Sequence, residues 1–276
     1  MGTFVGGIVS SALHLEQPKL PGPVDMQLLG LLCLVGGFVL SLALVALSPQ
    51  LAGNRPLRFL IIAWFVFAWL GINNTIEAHI FTTIGGEPTM VVTMLSLSLF
   101  IGGAVALWFT NREGGKSFSD GLRRFFNHRT PGQWAVRFSS AALAFPVVYF
   151  FFGMPVGLMV GRFYQSESFG LQLPSLGVVI GVQCLRSLIS LLAVLPILVF
   201  WPGSRQRFAW TFGLNLFVVA GLYGLLQAYW MPWTMRSIHT AELFLDSLVY
   251  GWLLAVLLLP RLPAPVEEIG ARGCGI

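Results

Sequence analysis

Apolar residues run along this chain in stretches of about 20 or more, with none of the strict alternation expected of barrel strands. Seven stretches stand out: Gln27–Ser48, Leu57–Thr83, Met90–Thr110, Trp134–Val160, Ser175–Trp201, Phe208–Trp230 and Arg236–Pro260. At roughly 1.5 Å of rise per residue each is long enough to cross roughly 30 Å of hydrocarbon. Backbone groups have no water to bond inside lipid, so each stretch is expected to be helical. The pattern predicts an all-α, polytopic transmembrane bundle of about seven helices. It divides into an interfacial N-terminal segment (1–26), the helical domain (27–260) and a tail (261–276).

Basic residues sort the connections. Arg55, Arg58, Arg112, Lys116, Arg123, Arg124, Arg129, Arg137, Arg205, Arg207, Arg261 and Arg272 fall on one side of the scheme, and Lys19, Arg162 and Arg236 on the other. The positive-inside rule then places the N-terminus outside and the C-terminus in the cytoplasm, and adding or removing a span would scramble the sorting. Trp108, Trp134, Trp201 and Trp210 sit near the expected inner interface, and Trp230 and Trp233 near the outer one, as an aromatic belt requires. The expected location is a bacterial cytoplasmic (inner) membrane, with the lipid bilayer as the first partner.

Several local features refine this picture. Gly2–Leu13 is apolar but lacks a basic start, so it reads as a segment at the membrane surface rather than a cleaved leader. Gly6 stands where a myristoylation signal needs Ser or Thr. Ser119–Phe126 can place Leu122, Phe125 and Phe126 on one face and reads as a short helix on anionic lipid, or simply as a solvated basic loop. Pro146 and Pro155 in the fourth stretch, and Pro196 in the fifth, predict kinks. Neither a fixed-period repeat nor a matched pair of broken helices is evident, which counts against an inverted-repeat transporter.

Composition changes the picture little. More than half of the residues are hydrophobic and 10% are charged, far from the quarter or so typical of soluble domains. The net charge of +5 is accounted for by the loop sorting, so nucleic acid is not an expected partner. Cys33, Cys184 and Cys274 form no CxxC pair, and no disulfide framework or thiolate metal site is indicated.

The candidate chemistry lies within the spans, where an ionisable residue costs several kcal/mol and is a functional candidate by default. In the seventh stretch His239, Glu242, Asp246 and Tyr250 share one helical face, with Arg236 at its rim. In the fifth, Gln183, Arg186, Ser187 and Ser190 share a face, and Arg186 is expected to pair with Asp246 or Glu242. Such a pair would also serve simply to fix two helices together. The second stretch adds Asn73, Asn74, Glu77 and His79, with His79 turned away from Glu77 on a regular helix.

Three chemistries fit these residues. A divalent metal would take His239, Glu242 and Glu77 as ligands. Haem between His79 and His239 ranks behind it. In the third, the His239–Tyr250 stripe is a proton or cation path tuned by Arg186. Glu77, His239, Glu242 and Asp246 are the candidate catalytic or proton-handling groups, and Arg186, Gln183, Asn73, Arg236 and Tyr250 the candidate contacts to a small molecule, ion or lipid. GxSxG, HExxH, Walker A, membrane-protease and desaturase patterns are all missing. Proton- or ion-coupled transport of a small solute therefore stands first. A membrane-embedded hydrolase or lipid-modifying enzyme at the outer leaflet follows, then a scaffold, sensor or complex subunit. No sequence feature specifies an oligomeric state.

Overall fold

The computed structural model describes residues 2–21, 23–108, 117–165 and 169–260. Arg112, Lys116, Glu167, Arg261, Arg272, Cys274 and the tail expected at 261–276 lie outside the described residues. The helices are α1 (Gly2–Ala12), α2 (Met26–Leu47), α3 (Arg55–Val66), α4 (Asn74–Phe81), α5 (Glu87–Trp108), α6 (Phe118–Phe126), α7 (Pro131–Tyr164), α8 (Leu176–Val199), α9 (Arg205–Leu216), α10 (Tyr223–Gln227) and α11 (Trp233–Leu258). A π-helical segment, Phe67–Asn73, joins α3 to α4, and a second, Phe217–Leu222, joins α9 to α10. The fold is all-α, and among the described residues seven helices are long and apolar enough to span a membrane. Leu34, Phe38, Phe151 and Leu158 face outward uncovered, as expected where lipid is the solvent.

Five spans start two or three residues before the apolar stretches do, and polar caps begin three of them. Asn54, Thr130 and Ser204 accept backbone N–H bonds from Leu57, Gln133 and Arg207, and Thr130 completes a capping box with Gln133. Apolarity marks where lipid begins, whereas the cap marks where the helix begins. The prolines break nothing: α7 runs continuously through Pro146 and Pro155, and α8 through Pro196. The π-helical turns lie in segments without proline.

Those π segments expose an internal duplication that the sequence pattern hides. The caps Asp25 and Asn54, and the π start at Phe67, recur at a constant offset as Ser175, Ser204 and Phe217. The crossings recur too. In the first half a Cβ on Gly102 would lie 3.0 Å from Ala63, and one on Gly71 3.4 Å from Met94. In the second half Gly251 meets Gly213 at 3.1 Å and Gly221 meets Leu243 at 2.8 Å. Gly6 against Thr93 corresponds likewise to Gly153 against Glu242, so α1 occupies the place of the second half of α7. The chain is thus two copies of one helical unit, α1–α5 and α7–α11, running in the same direction. Their contacts are reciprocal: α8 packs on the first π segment as α2 packs on the second and on α10.

The two ends of this bundle differ. At one end Arg129, Arg137 and Arg205 converge on the last carbonyls of α11, Arg129 donating to Leu258 O at 2.9 Å and Leu259 O at 3.1 Å. Cations there complement the helix dipole and satisfy carbonyls that have no helical partner. Partial burial, then the nearby Arg137 and Arg205 charges, pull the Arg129 guanidinium below its ordinary range. Helix α6 packs at this basic end, with Phe125 buried and stacked on Trp134 at 4.8 Å and Arg123 and Arg124 exposed. Just inside, Phe65, Phe208 and Phe212 are fully buried and form an aromatic plug between α3 and α9. The opposite end opens into a cavity.

Candidate functional site

The cavity has a volume of about 770 Å³ and lies among α1, α2, α4, α5, α7, α10 and α11. Most of its wall is apolar. The exceptions concentrate on α4, α7 and α11: Asn74, Glu77, Tyr149, Tyr164, His239, Glu242 and Asp246. A smaller pocket of about 50 Å³ shares Glu77, Tyr149 and Asp246 with it and reaches inward to Trp69, Phe145, Arg186 and Tyr250. Leu216 borders that pocket, and the aromatic plug lies beyond, so the space is blind toward the basic end.

The chain between α1 and α2 straps the rim of the cavity. Gln17, Pro18 and Leu20 line it. Lys19 N donates to Ile84 O at 2.9 Å, and Thr89 Oγ1 donates to Glu16 O at 2.6 Å. Gly86 has φ of +73°, and a Cβ there would lie 2.5 Å from Pro18 N, so both the backbone angle and the close approach require glycine.

Arg186 pairs with Glu77, not with Asp246 or Glu242 as its face in the sequence suggests. Arg186 Nη2 donates to Glu77 Oε2 at 2.9 Å, and Nη1 donates to Gln183 Oε1 at 3.2 Å. Helix α8 packs on α3, α7 and the first π segment, whereas α11 packs on α9 and α7. The expected partnership of α8 with α11 is therefore replaced by one between α8 and α4. Arg186 is almost wholly buried and Glu77 is partly open to the cavity. Phe145 lies under the guanidinium, 5.7 Å from ring centre to Cζ.

On α11 the one-turn spacing brings His239 Nδ1 to 2.7 Å from Glu242 Oε2. One turn further, Asp246 lines both the cavity and the inner pocket, and its Oδ1 is buried without a hydrogen-bond partner. Tyr250, 2% exposed, ends the stripe, with its ring against Phe145 at 5.4 Å and its hydroxyl unpartnered in the inner pocket.

The remaining candidates sit elsewhere. Asn73 is buried with its side-chain amide unpartnered and lines neither pocket. Arg236 lies over Trp233 at 5.4 Å and also lines neither. His79 is exposed, bonds Glu87 at 2.7 Å and lines neither pocket. Among the described residues no group of three or more His, Cys, Asp or Glu is placed to hold a metal ion. Of the expected set His239, Glu242 and Glu77, His239 Nδ1 is engaged by Glu242 Oε2 and Glu77 Oε2 by Arg186, while His239 Nε2 has no hydrogen-bond partner.

Tyr149 and Cys33 emerge only from the packing. Tyr149 is the polar-tipped ring of an otherwise apolar run, Val147–Phe152, and that tip was its one sequence signal. Cys33, at the position equivalent to Gln183, bonds Gln227 Oε1 at 3.4 Å, and Gln227 stands at the position equivalent to Glu77. No protein-family model, curated protein or solved structure matches the chain.

Proposed function

We propose that this multi-pass membrane protein carries a small solute across the bilayer in exchange with, or together with, protons. The observation that carries the reading is the cavity at the seam between two like units, with an unpartnered carboxylate, Asp246, at the junction of its wide and narrow parts. Transporters with parallel repeats about an axis along the membrane normal place their sites near the midplane at the repeat interface.

Three further features favour movement between two open states. A separate pocket of about 260 Å³ lies at the basic end, lined by Pro49, Gln50, Pro202, Gly203 and Arg207. The π segments, common where helices serve function, meet across the seam, where Asn74 Nδ2 donates to Ala220 O at 3.2 Å. The inter-unit contact also mixes one ion pair with small-residue packing, and a helix interface of that kind can slide. With the basic end in the cytoplasm, the cavity is the outward-facing mouth.

The test is solute-dependent proton movement in proteoliposomes loaded with a pH-sensitive dye, screened over small apolar-bodied solutes. Wild type should couple flux to the proton gradient, and Asp246→Asn should abolish coupled flux while still giving monodisperse protein. Undiminished coupling in that variant would sink the proposal.

One observation favours the enzyme reading. A histidine 2.7 Å from a carboxylate on a cavity wall has the geometry of an oriented acid-base pair. That reading requires outer-leaflet lipid or ester turnover that falls at least about 100-fold in His239→Ala. A substrate screen without turnover leaves transport alone.

A further inference from the structure

We propose that the cavity binds an organic monocation, a compact ammonium on an apolar body, with Asp246 as its counter-ion and a proton as its competitor. The coupling rests on the transport reading above, whereas the binding step stands without it.

The charge count of the inner pocket points to this ligand. Its ionisable lining is Glu77, Asp246 and Arg186, with the Tyr149 and Tyr250 hydroxyls. Arg186 and Glu77 cancel each other at 2.9 Å, and Gln183 takes another guanidinium donor. Asp246 Oδ1 has no partner. A carboxylate left alone among apolar walls calls for a compensating proton or cation. An anion would have to displace Glu77 from Arg186 and then sit beside Asp246.

The walls agree. Trp69, Phe145, Tyr149 and Tyr250 surround the inner pocket, and aromatic faces attract cations, as Phe145 already attracts Arg186. The buried Tyr250 hydroxyl offers an oxygen to an ammonium N–H. Outside the narrow part the cavity has the size and apolar lining of a drug-sized ligand site.

Proton competition depends on every group facing Asp246. Glu242 and His239 stand above it on α11 and are bonded to each other. Glu77 faces it from α4, Arg186 from α8, and Tyr149 and Tyr164 from α7. Of the three carboxylates, Glu77 and Glu242 have side-chain partners, so Asp246 is the one left to exchange a proton for the ligand.

The test uses purified protein in phosphatidylcholine nanodiscs and three fluorescent probes: dansylcadaverine (ammonium), its N-acetyl amide (neutral) and dansylaminoundecanoate (anion). Wild type should bind the ammonium at least about tenfold more tightly than either other probe, a preference of roughly 1.4 kcal/mol, and less tightly as pH falls. Asp246→Asn should lose the preference and the pH dependence, and Asp246→Glu should restore both. Equal binding of ammonium and amide by wild type, or a preference for the anion, overturns the proposal even if Asp246→Asn does not fold. Cation binding without coupled flux would remove the transport reading and leave this site standing. Coupled flux with no charge preference would do the reverse.

Discussion

The two halves of this molecule share a frame and differ in chemistry. Where α11 carries Glu242, Asp246 and Tyr250, the equivalent positions on α5 are Thr93, Leu97 and Ile101, and where α8 carries Gln183 and Arg186, α2 has Cys33 and Gly36. Glu77 of the first half corresponds to Gln227 of the second. One inter-unit contact is therefore a buried ion pair, and its counterpart is a neutral contact of Gln227 with Cys33 and Gly36. The frame is kept by glycine and alanine at the crossings, where backbones touch, because in lipid close packing rather than hydrophobic exclusion holds helices together. The polar groups vary freely over that frame. Most of them lie on α7, α8 and α11 of the second half, with Glu77 of the first half facing them across the seam.

The strongest way to break the equivalence is at a crossing. Gly251→Val would drive its side chain into Ala209 O and the Gly213 backbone at about 3 Å, with no flexible atom to yield. We expect a cost of about 3 kcal/mol or more, measured as loss of monodisperse protein on size exclusion. Gly102→Val in the first half should do the same if the halves are one design, and an indifferent Gly102 would argue against the repeat.

Next in size is the asymmetric contact. Glu77→Ala strands Arg186, and because Glu77 is partly exposed we expect about 2–3 kcal/mol rather than the full cost of a buried pair. Gln227→Ala, at the copy-related position, should cost about 1 kcal/mol. Unfolding in mixed micelles separates the two, and equal losses would show that the ion pair adds nothing to the frame.

The smallest effect sharpens the same contrast through the two histidines. His79→Ala removes only an exposed pair with Glu87 and should change stability by under about 0.5 kcal/mol and leave coupled flux intact. A flux defect in His79→Ala would place function on the rim of the first half and contradict an α11-centred site.

What was legible in the sequence is what depends on neighbours along one helix. The spans follow from lipid as solvent, which demands long apolar helices whatever surrounds them. The His239–Glu242 pair and the Asp246–Tyr250 stripe follow from 3.6 residues per turn. The identity of the buried ionisable residues was visible too, since each is conspicuous against an apolar background.

The rest was decided by packing. Glu77 and Arg186 lie far apart in the chain, and only the approach of α8 to the first π segment brings them together, so helix faces alone point Arg186 to the wrong partner. The duplication left almost no mark on the sequence because its invariants are backbone crossings and cap positions, satisfied by Ala63 in one half and Gly213 in the other. The π segments carry no proline to announce them. A single helix states its own solvent and its own faces, but which face meets which neighbour is a property of all the helices at once, and the cavity exists only there.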